Sequence, residues 1–513
     1  MSTFSKHPKE LWILGLTEMA ERFAFYLMLG ILMLYMIAPE NAKFPGFGFS
    51  NANASDIMGT YLALLYLTPF IGGMLADRVL GYRRSITIGG ILMGLGYFGL
   101  AAHNQTFFYL SLLLIILGNG FFKPNISTLV GRLYEKAQYK HLKDDGFNIF
   151  YLFINIGAFL CNFFAAYLRI NYGWGWAFMA AGAGMFAGLA FLWSSQLFTT
   201  ELKRVDTIQR DVNGNGELIR LLGKMLLPAF ALAAVGWFVP PLLIGGPFLG
   251  TSSTDAFLFF CFPVVFFFYS LYKNAPLFKE QRQIRALMTI FVVVIIFWAV
   301  FHQNASALTL WAEDFTNRTV PALLTGITDA LSLSQSDGSQ KFFSAELFQS
   351  VNPGFVVFLT PLIVGFFRIL RKRDKEPSTP VKIAWGLGIT AISALVMMVA
   401  VIVSNNGATK ASPLWLISTY GIITVGELFL SPMGLSLVSK LSPARYTSLL
   451  MGGWFLSTSI GNKLSGVMAS MWDGYTNKAF YFLTNAGLAM VAVIILIILL
   501  PGLKKVVSED QNG

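Results

Sequence analysis

The sequence predicts an all-α integral membrane protein of fourteen transmembrane helices, built as two six-helix bundles with a two-helix hairpin inserted between them. Three observations predict it. Hydrophobic residues make up 55% of the 513 and charged residues only 12%, about half the charge of a soluble globular chain. Apolar runs of the roughly 20 residues needed to cross a bilayer recur along the whole length. The net charge of +11 is gathered in alternate loops, "DRVLGYRR", "GRLYEKAQYKHLK", "ELKRVDTIQR", "FKEQRQIR" and "RILRKRDKEPSTPVK". The loops between these are poor in Lys and Arg, and the long one over 313–347 holds only Arg318 and Lys341. That asymmetry is the positive-inside pattern, which places the basic loops and both termini in the cytoplasm.

The spans fall near 10–38, 55–77, 84–102, 106–131, 146–169 and 174–197, then 221–246 and 255–274, then 284–312, 350–371, 383–404, 412–437, 446–471 and 479–502. An even count agrees with both ends lying on one side. The layout divides the chain into 1–197, a linker and hairpin over 198–283, and 284–513. Two six-helix halves around a midplane cavity is a common transporter plan. The opening residues lack the small-residue cleavage site of a signal peptide, so the first apolar run is expected to be a true span. Cys161 and Cys261 both sit in apolar runs and are expected to be free core thiols.

The first span carries an anomaly. In "TEMAERFAFYLMLG", Glu18, Glu21 and Arg22 lie within one helical turn, on the face shared by Phe25, Tyr26 and Leu29. Charged groups at membrane depth face a bundle interior or a wet cavity, because each costs about 2.5–3.5 kcal/mol on insertion scales. Arg22 neutralises one glutamate, and the second needs another cation or a proton. Lys123, alone in the span "FFKPN", is a natural counter-ion for Glu18 or Glu21. The plainer reading of the trio is an ion pair that fixes helix packing.

"EMAERFAFY" resembles the E-x-x-E-R-F-x-Y-Y signature of the proton-dependent oligopeptide transporters. "GNGFFKPNIS", "FNIFYLFINIGAF", "GELFLSPMGLSLVSKLSP" and "GGWFLSTSIGN" resemble further segments of that family, in family order. "GGMLADRVLGYRRS" is similar to the loop after the second helix of the major facilitator superfamily, with Gly81 at a tight turn and Asp77, Arg78, Arg83 and Arg84 as a structural clasp. The inserted helix pair is a feature of the bacterial members. The resemblance implies the major facilitator superfamily fold and proton-coupled symport of di- and tripeptides through the cell inner membrane. It implies that Glu18, Glu21, Arg22 and Lys123 serve proton coupling and carboxylate recognition, and that Glu427 holds the peptide amino terminus with help from Asn155 and Asn352. Tyr26, Tyr66 and Trp454 match pocket walls. No cofactor is implied, since the proton gradient supplies the energy; membrane lipids are partners, nucleic acid is not, and a monomer is expected.

Three positions depart from the family. Phe25 replaces the first tyrosine of the pair, Leu29 stands where an arginine is usual, and "FWAVFHQ" puts His302 where an acid is usual. In the family that arginine and that acid form a salt bridge closing the outer side. Losing one strands a buried charge at several kcal/mol, whereas this chain lacks both. The expected outer gate is therefore apolar contact and neutral hydrogen bonds. His302 is expected to modulate coupling, since a protonated imidazole is cationic where a protonated acid is neutral.

Enzyme chemistry is not indicated. Four histidines, His7, His103, His141 and His302, stand in no H-E-x-x-H or nucleophile–base arrangement. "GGILMGLG" lies in an apolar span and reads as close helix packing. "DVNGNGE" is too short for a calcium loop and reads as a turn. The rival readings are a same-fold carrier of nitrate, an amino acid or a peptide-like compound, and a non-transporting sensor or channel.

Overall fold

The computed structural model describes residues 7–76, 80–198, 212–336, 340–443 and 446–511. Fourteen long helices account for most of them. The first bundle is α1 (Lys9–Ile37), α2 (Asn51–Leu75), α3 (Tyr82–Leu100), α4 (Gln105–Leu133), α5 (Lys143–Tyr172) and α6 (Trp174–Phe198). The hairpin follows as α7 (Val212–Ile244) and α8 (Ser252–Asn274). The second bundle opens with α9 (Phe278–Phe301), and its far loop carries two short helices, α10 (Ala307–Asp314) and α11 (Ala322–Ala330). It continues with α12 (Val351–Lys372), α13 (Thr379–Val403), α14 (Pro413–Leu441), α15 (Thr447–Ser470) and α16 (Lys478–Gln511).

Local sequence sets the helix starts. Ser50, Asn104 and Thr251 each accept a hydrogen bond from the first turn of α2, α4 and α8, meeting amide donors that a helix leaves free. Proline occupies the first turn of α13 and α14, where its missing N–H does no harm. Gly81, with φ at +78°, makes the tight entry into α3. Asp77 and Arg78 of the expected clasp lie outside the described residues, as does the basic stretch 201–210.

Among the described residues twelve helices are long and apolar enough to cross a membrane. The other two, α3 and α15, are less apolar: Arg83 and Arg84 lie in the first turn of α3, and Asn462 and Lys463 stand inside α15. Helix α15 is packed within protein, where lipid does not set the residue choice, whereas α3 keeps Ile88, Leu95 and Phe98 exposed on its outer face. The glycine-rich run of α3 brings its backbone onto α4, with Gly89 against Gly118, so it is packing and not a phosphate cradle.

Within the first bundle α1 packs on α5 and α6, and α3 on α4 and α6. In the second, α13 packs on α14 and α16, and α9 on α15. The halves meet where α2 packs along α15, and where α5 meets α12 and the 3-10 turn Ala345–Ser350. These contacts lie at the far end of the molecule, opposite the chain termini. There Asn162 donates to Ser350 Oγ at 3.1 Å, Gln349 to the Gly30 carbonyl at 3.4 Å, and Asn51 to Asp473 at 3.0 Å. The far end is closed.

Three expectations are corrected. The span 284–312 is not one helix: α9 ends at Phe301, a 3-10 turn runs His302–Ala305, and α10 resumes at Ala307. From Val212 the "DVNGNGE" segment is helical, the first turn of α7, because the apolar run behind it propagates the helix backward. Cys161 is a buried free thiol, but Cys261 is only half-buried, since the hairpin helix that carries it has little protein around it.

Candidate functional site

The anomaly in α1 resolves into a buried triad. Arg22 reaches both oxygens of Glu21, its Nε to Oε2 and its Nη2 to Oε1 at 2.6 Å, and its Nε lies 3.4 Å from Glu18 Oε1. Glu21 is 0% exposed, and Glu18 and Arg22 are nearly so. The guanidinium also sits over the rings of Phe25 and Tyr26, at 5.0 and 5.9 Å, contacts favoured where water is scarce. The phenylalanine departure thus keeps a cation–π surface while giving up a hydroxyl. Glu18 Oε2 is left buried without a hydrogen-bond partner. Such an orphan is rare enough to need a reason.

Lys123 does not close that account. Its Nζ sits 4.5 Å above the Tyr66 ring, and among the described residues no carboxylate lies within ion-pair distance of it. The counter-ion expected for Glu18 or Glu21 is therefore an ammonium held on an aromatic face within electrostatic reach of Glu18.

Tyr66 also leads to His302. Their rings are 6.0 Å apart, and His302 stacks on Trp298 at 5.2 Å. His302 starts the 3-10 turn that breaks α9, and its buried Nε2 has no partner. Unwound backbone at membrane depth is tolerated where it lines a cavity or is covered by protein.

On the second bundle, Asn352 of α12 donates to Glu427 Oε2 of α14 at 3.2 Å and to Thr424 Oγ1 at 2.8 Å. Glu427 is half-buried and makes no ion pair among the described residues, and it faces Tyr26 and Tyr151 of the first bundle closely enough to interact electrostatically. Asn155 of α5 is buried and donates to the Tyr151 carbonyl of its own helix at 2.9 Å. Tyr26 and Tyr66 are half-buried, and Trp454 is buried with its ring against the backbone of Gly434, leaving no space there for a Cβ. A cationic side, Arg22 and Lys123, thus stands on one bundle and an acidic one, Glu427, on the other.

Leu29 is buried in the core of α1, and α1 touches the turn that begins at His302. The far end nevertheless is not closed by neutral contacts alone, which corrects the expected gate. Arg169 of α5 makes a bidentate pair with fully buried Glu346, at 2.7 and 3.1 Å. Lys463 of α15 pairs with Asp56 of α2 at 2.6 Å. None of these four residues is among the site residues expected from the sequence. Lys463 carried the same signal as Lys123, a lone cation in an apolar span, and could have been found by it.

Two six-helix bundles, with Arg22 and Lys123 on one and Glu427 on the other, have the architecture of the major facilitator superfamily fold. The profile of the POT family matches residues 83–215 and 340–484. The chain is 32% identical to a di-/tripeptide transporter of Lactococcus lactis subsp. cremoris over 98% of this chain and 97% of that one. It is 30% identical to the peptide transporter YePEPT of Yersinia enterocolitica, over 91% and 88%. Among solved structures it resembles peptide transporter POT in complex with alafosfalin, at 30% identity, TM-score 0.77, and coverage of 98% and 96%. A POT family transporter in complex with 5-aminolevulinic acid matches at 25% identity, TM-score 0.79, and coverage of 98% and 97%. The chain belongs to the POT family.

Proposed function

We propose that the protein carries di- and tripeptides into the cell by proton-coupled symport, with both termini and the basic loops in the cytoplasm of the inner membrane. The observation that carries the reading is the opposition of Arg22 and Lys123 on the first bundle to Glu427 on the second. A zwitterion of fixed length bridges such a pair: its carboxylate meets the cations and its ammonium meets Glu427, which Asn352 steadies. Opposite charges at both ends favour peptides over single-charge solutes, because an unmatched buried charge is expensive. Asn155 assists at the amino end, and Tyr26, Tyr66 and Trp454 shape the walls.

The proton goes to α1. Glu21 has both oxygens engaged by Arg22, whereas Glu18 keeps one oxygen free, so Glu18 is the natural acceptor and Glu21 the anchor that holds Arg22. Protonating Glu18 weakens its hold on Arg22, which then turns toward an incoming carboxylate beside Lys123. His302 modulates this exchange from across Tyr66. No cofactor enters the cycle, and the monomer is the working unit.

Uptake of labelled dialanine into proteoliposomes, with and without an inward proton gradient, tests the reading. Acid-driven accumulation is expected, and Glu18→Gln is expected to abolish accumulation while dialanine exchange continues. No uptake of dialanine or trialanine by intact protein would overturn it, and uptake indifferent to the gradient would overturn the coupling.

A further inference from the structure

We infer that Asp56, Lys463 and Ser253 form a three-way latch at the far end, in which the inserted hairpin holds the two bundles shut by gripping the ion pair between them. The inference rests on the carrier reading above, because only a carrier has to part these elements.

The geometry is specific. Lys463 Nζ, from α15 of the second bundle, donates to Asp56 Oδ1 at 2.6 Å and to Thr60 Oγ1 at 2.8 Å, both on α2 of the first bundle. It also donates to Ser253 Oγ in the first turn of hairpin helix α8, at 2.8 Å. Ser253 Oγ in turn donates to Asp56 Oδ2 at 2.5 Å, and Thr251 and Thr254 approach Asp56 Oδ1 at 3.2 and 3.4 Å. The side chain of Lys463 is 2% exposed and that of Asp56 14%. All three ammonium donor sites are therefore used, and both carboxylate oxygens are covered. Three elements meet in one network: one from each bundle and one from neither.

Two further observations favour a latch over a fixed brace. The backbones of α2 and α15 touch beside the pair, since a Cβ at Gly59 would stand 2.5 Å from Gly466 Cα. The other side-chain bonds between these helices, Ser459 to the Ala63 carbonyl at 2.7 Å and Asn462 to the Leu62 carbonyl at 3.5 Å, are neutral, so among the described residues the Asp56–Lys463 pair is their charged tie. Elsewhere the hairpin is held on the bundles by apolar packing, with Phe260, Val264 and Phe268 in one buried cluster with Leu67 and Phe291. Its helices bury little of themselves, and a cavity of about 780 Å³, lined by Asp56, Thr60, Tyr109 and Trp237, separates its tip from α4. Among the described residues, the hydrogen bonds that tie α7 and α8 to the bundles end at Asp56 and Lys463. When the pair parts, Ser253 can keep only one of its two partners, so the hairpin is set to report and to resist opening.

The test reads opening directly and needs no solute. In a Cys161→Ser, Cys261→Ser background, Ser55→Cys places a thiol at a buried position of α2 one residue from Asp56. Intact cells are labelled with a membrane-impermeant maleimide. Asp56→Asn with Lys463→Met should raise the labelling rate about tenfold by shifting the population toward the open far end. The reversed pair, Asp56→Lys with Lys463→Asp, should return it to within about twofold of the parent. Ser253→Ala should raise the rate several-fold, and Ser252→Ala should leave it unchanged. A reversed pair that labels as fast as the neutral pair, or equal rates in all variants, overturns the latch. Ser253→Ala behaving like Ser252→Ala overturns the hairpin's part in it. Failure of dialanine uptake with these labelling rates intact would count against the peptide reading alone.

Discussion

Single side chains set the chemistry between the two bundles. Glu427 interacts across the bundles with Tyr26 and Tyr151, and Asn352 is its hydrogen-bond donor. Asn352→Ala should raise the half-saturating dialanine concentration by about tenfold or more with little change in maximal rate, since a hydrogen bond to a charged group contributes about 1.5–3 kcal/mol net. Concentration-dependent uptake checks this. Glu427→Gln should weaken dialanine binding more severely, because the ammonium then has no counter-charge. His302→Gln should still accumulate peptide against a gradient, as expected of a modulator; loss of uphill transport with exchange intact would make His302 part of the coupling itself. The α1 triad was legible from spacing alone, since three ionisable groups in an apolar run can only share one helix face. Which carboxylate oxygen stays free was not legible, because it depends on rotamers that Arg22 chooses among its neighbours.

At the scale of elements, two features bear on how segments hold together. Leu29 on α1 and His302 at the break after α9 replace two charged residues of the family pattern. Leu29→Arg alone should bury an unpaired cation and depress uptake. Adding His302→Glu should leave transport no worse than Leu29→Arg alone, and initial rates in the same vesicles decide it. The loop between α12 and α13 depends on Glu376, whose carboxyl is pulled down to about 2 by hydrogen bonds from Arg371 and from Lys382. A depressed carboxyl stabilises the fold at neutral pH and loses that contribution as acid protonates it. Glu376→Gln should therefore lower the melting temperature slightly at pH 7, with the difference shrinking between about pH 5 and pH 2. The helix break at His302–Ser306 was invisible in the sequence. No proline or glycine marks it, and the polar run "HQN" fits a helix face as well as a turn. Twelve of the expected spans were visible because length and apolarity report them without any tertiary knowledge; α3 and α15 are less apolar.

Across the whole molecule, the closed far end rests on backbone contact between α2 and α15 and on the ion pair beside it. Gly466→Leu should wedge those helices apart, since packed interiors do not absorb added volume without shifting. The expected outcome is a folded, monodisperse protein whose dialanine uptake falls at least about tenfold; near-normal uptake would mean that the two helices do not need to meet. A single sequence shows Asp56 and Lys463 as an interfacial acid and a lone intramembrane cation. Nothing in it says that positions 407 apart lie together. The same limit hid Arg169 and Glu346, each unremarkable near a helix end until the fold paired them.

The outward faces of the hairpin carry Leu227, Phe238, Leu242, Leu243, Phe262 and Phe266, all exposed in the isolated chain. In a bilayer these side chains are solvated by acyl chains, and micelle detergents solvate them differently. Extraction should therefore loosen the hairpin before either bundle, so a purified sample can keep its helical content and its affinity for peptide while its opening rate drifts. Rates measured in nanodiscs and in detergent would then disagree, and adding back native lipid should bring them together.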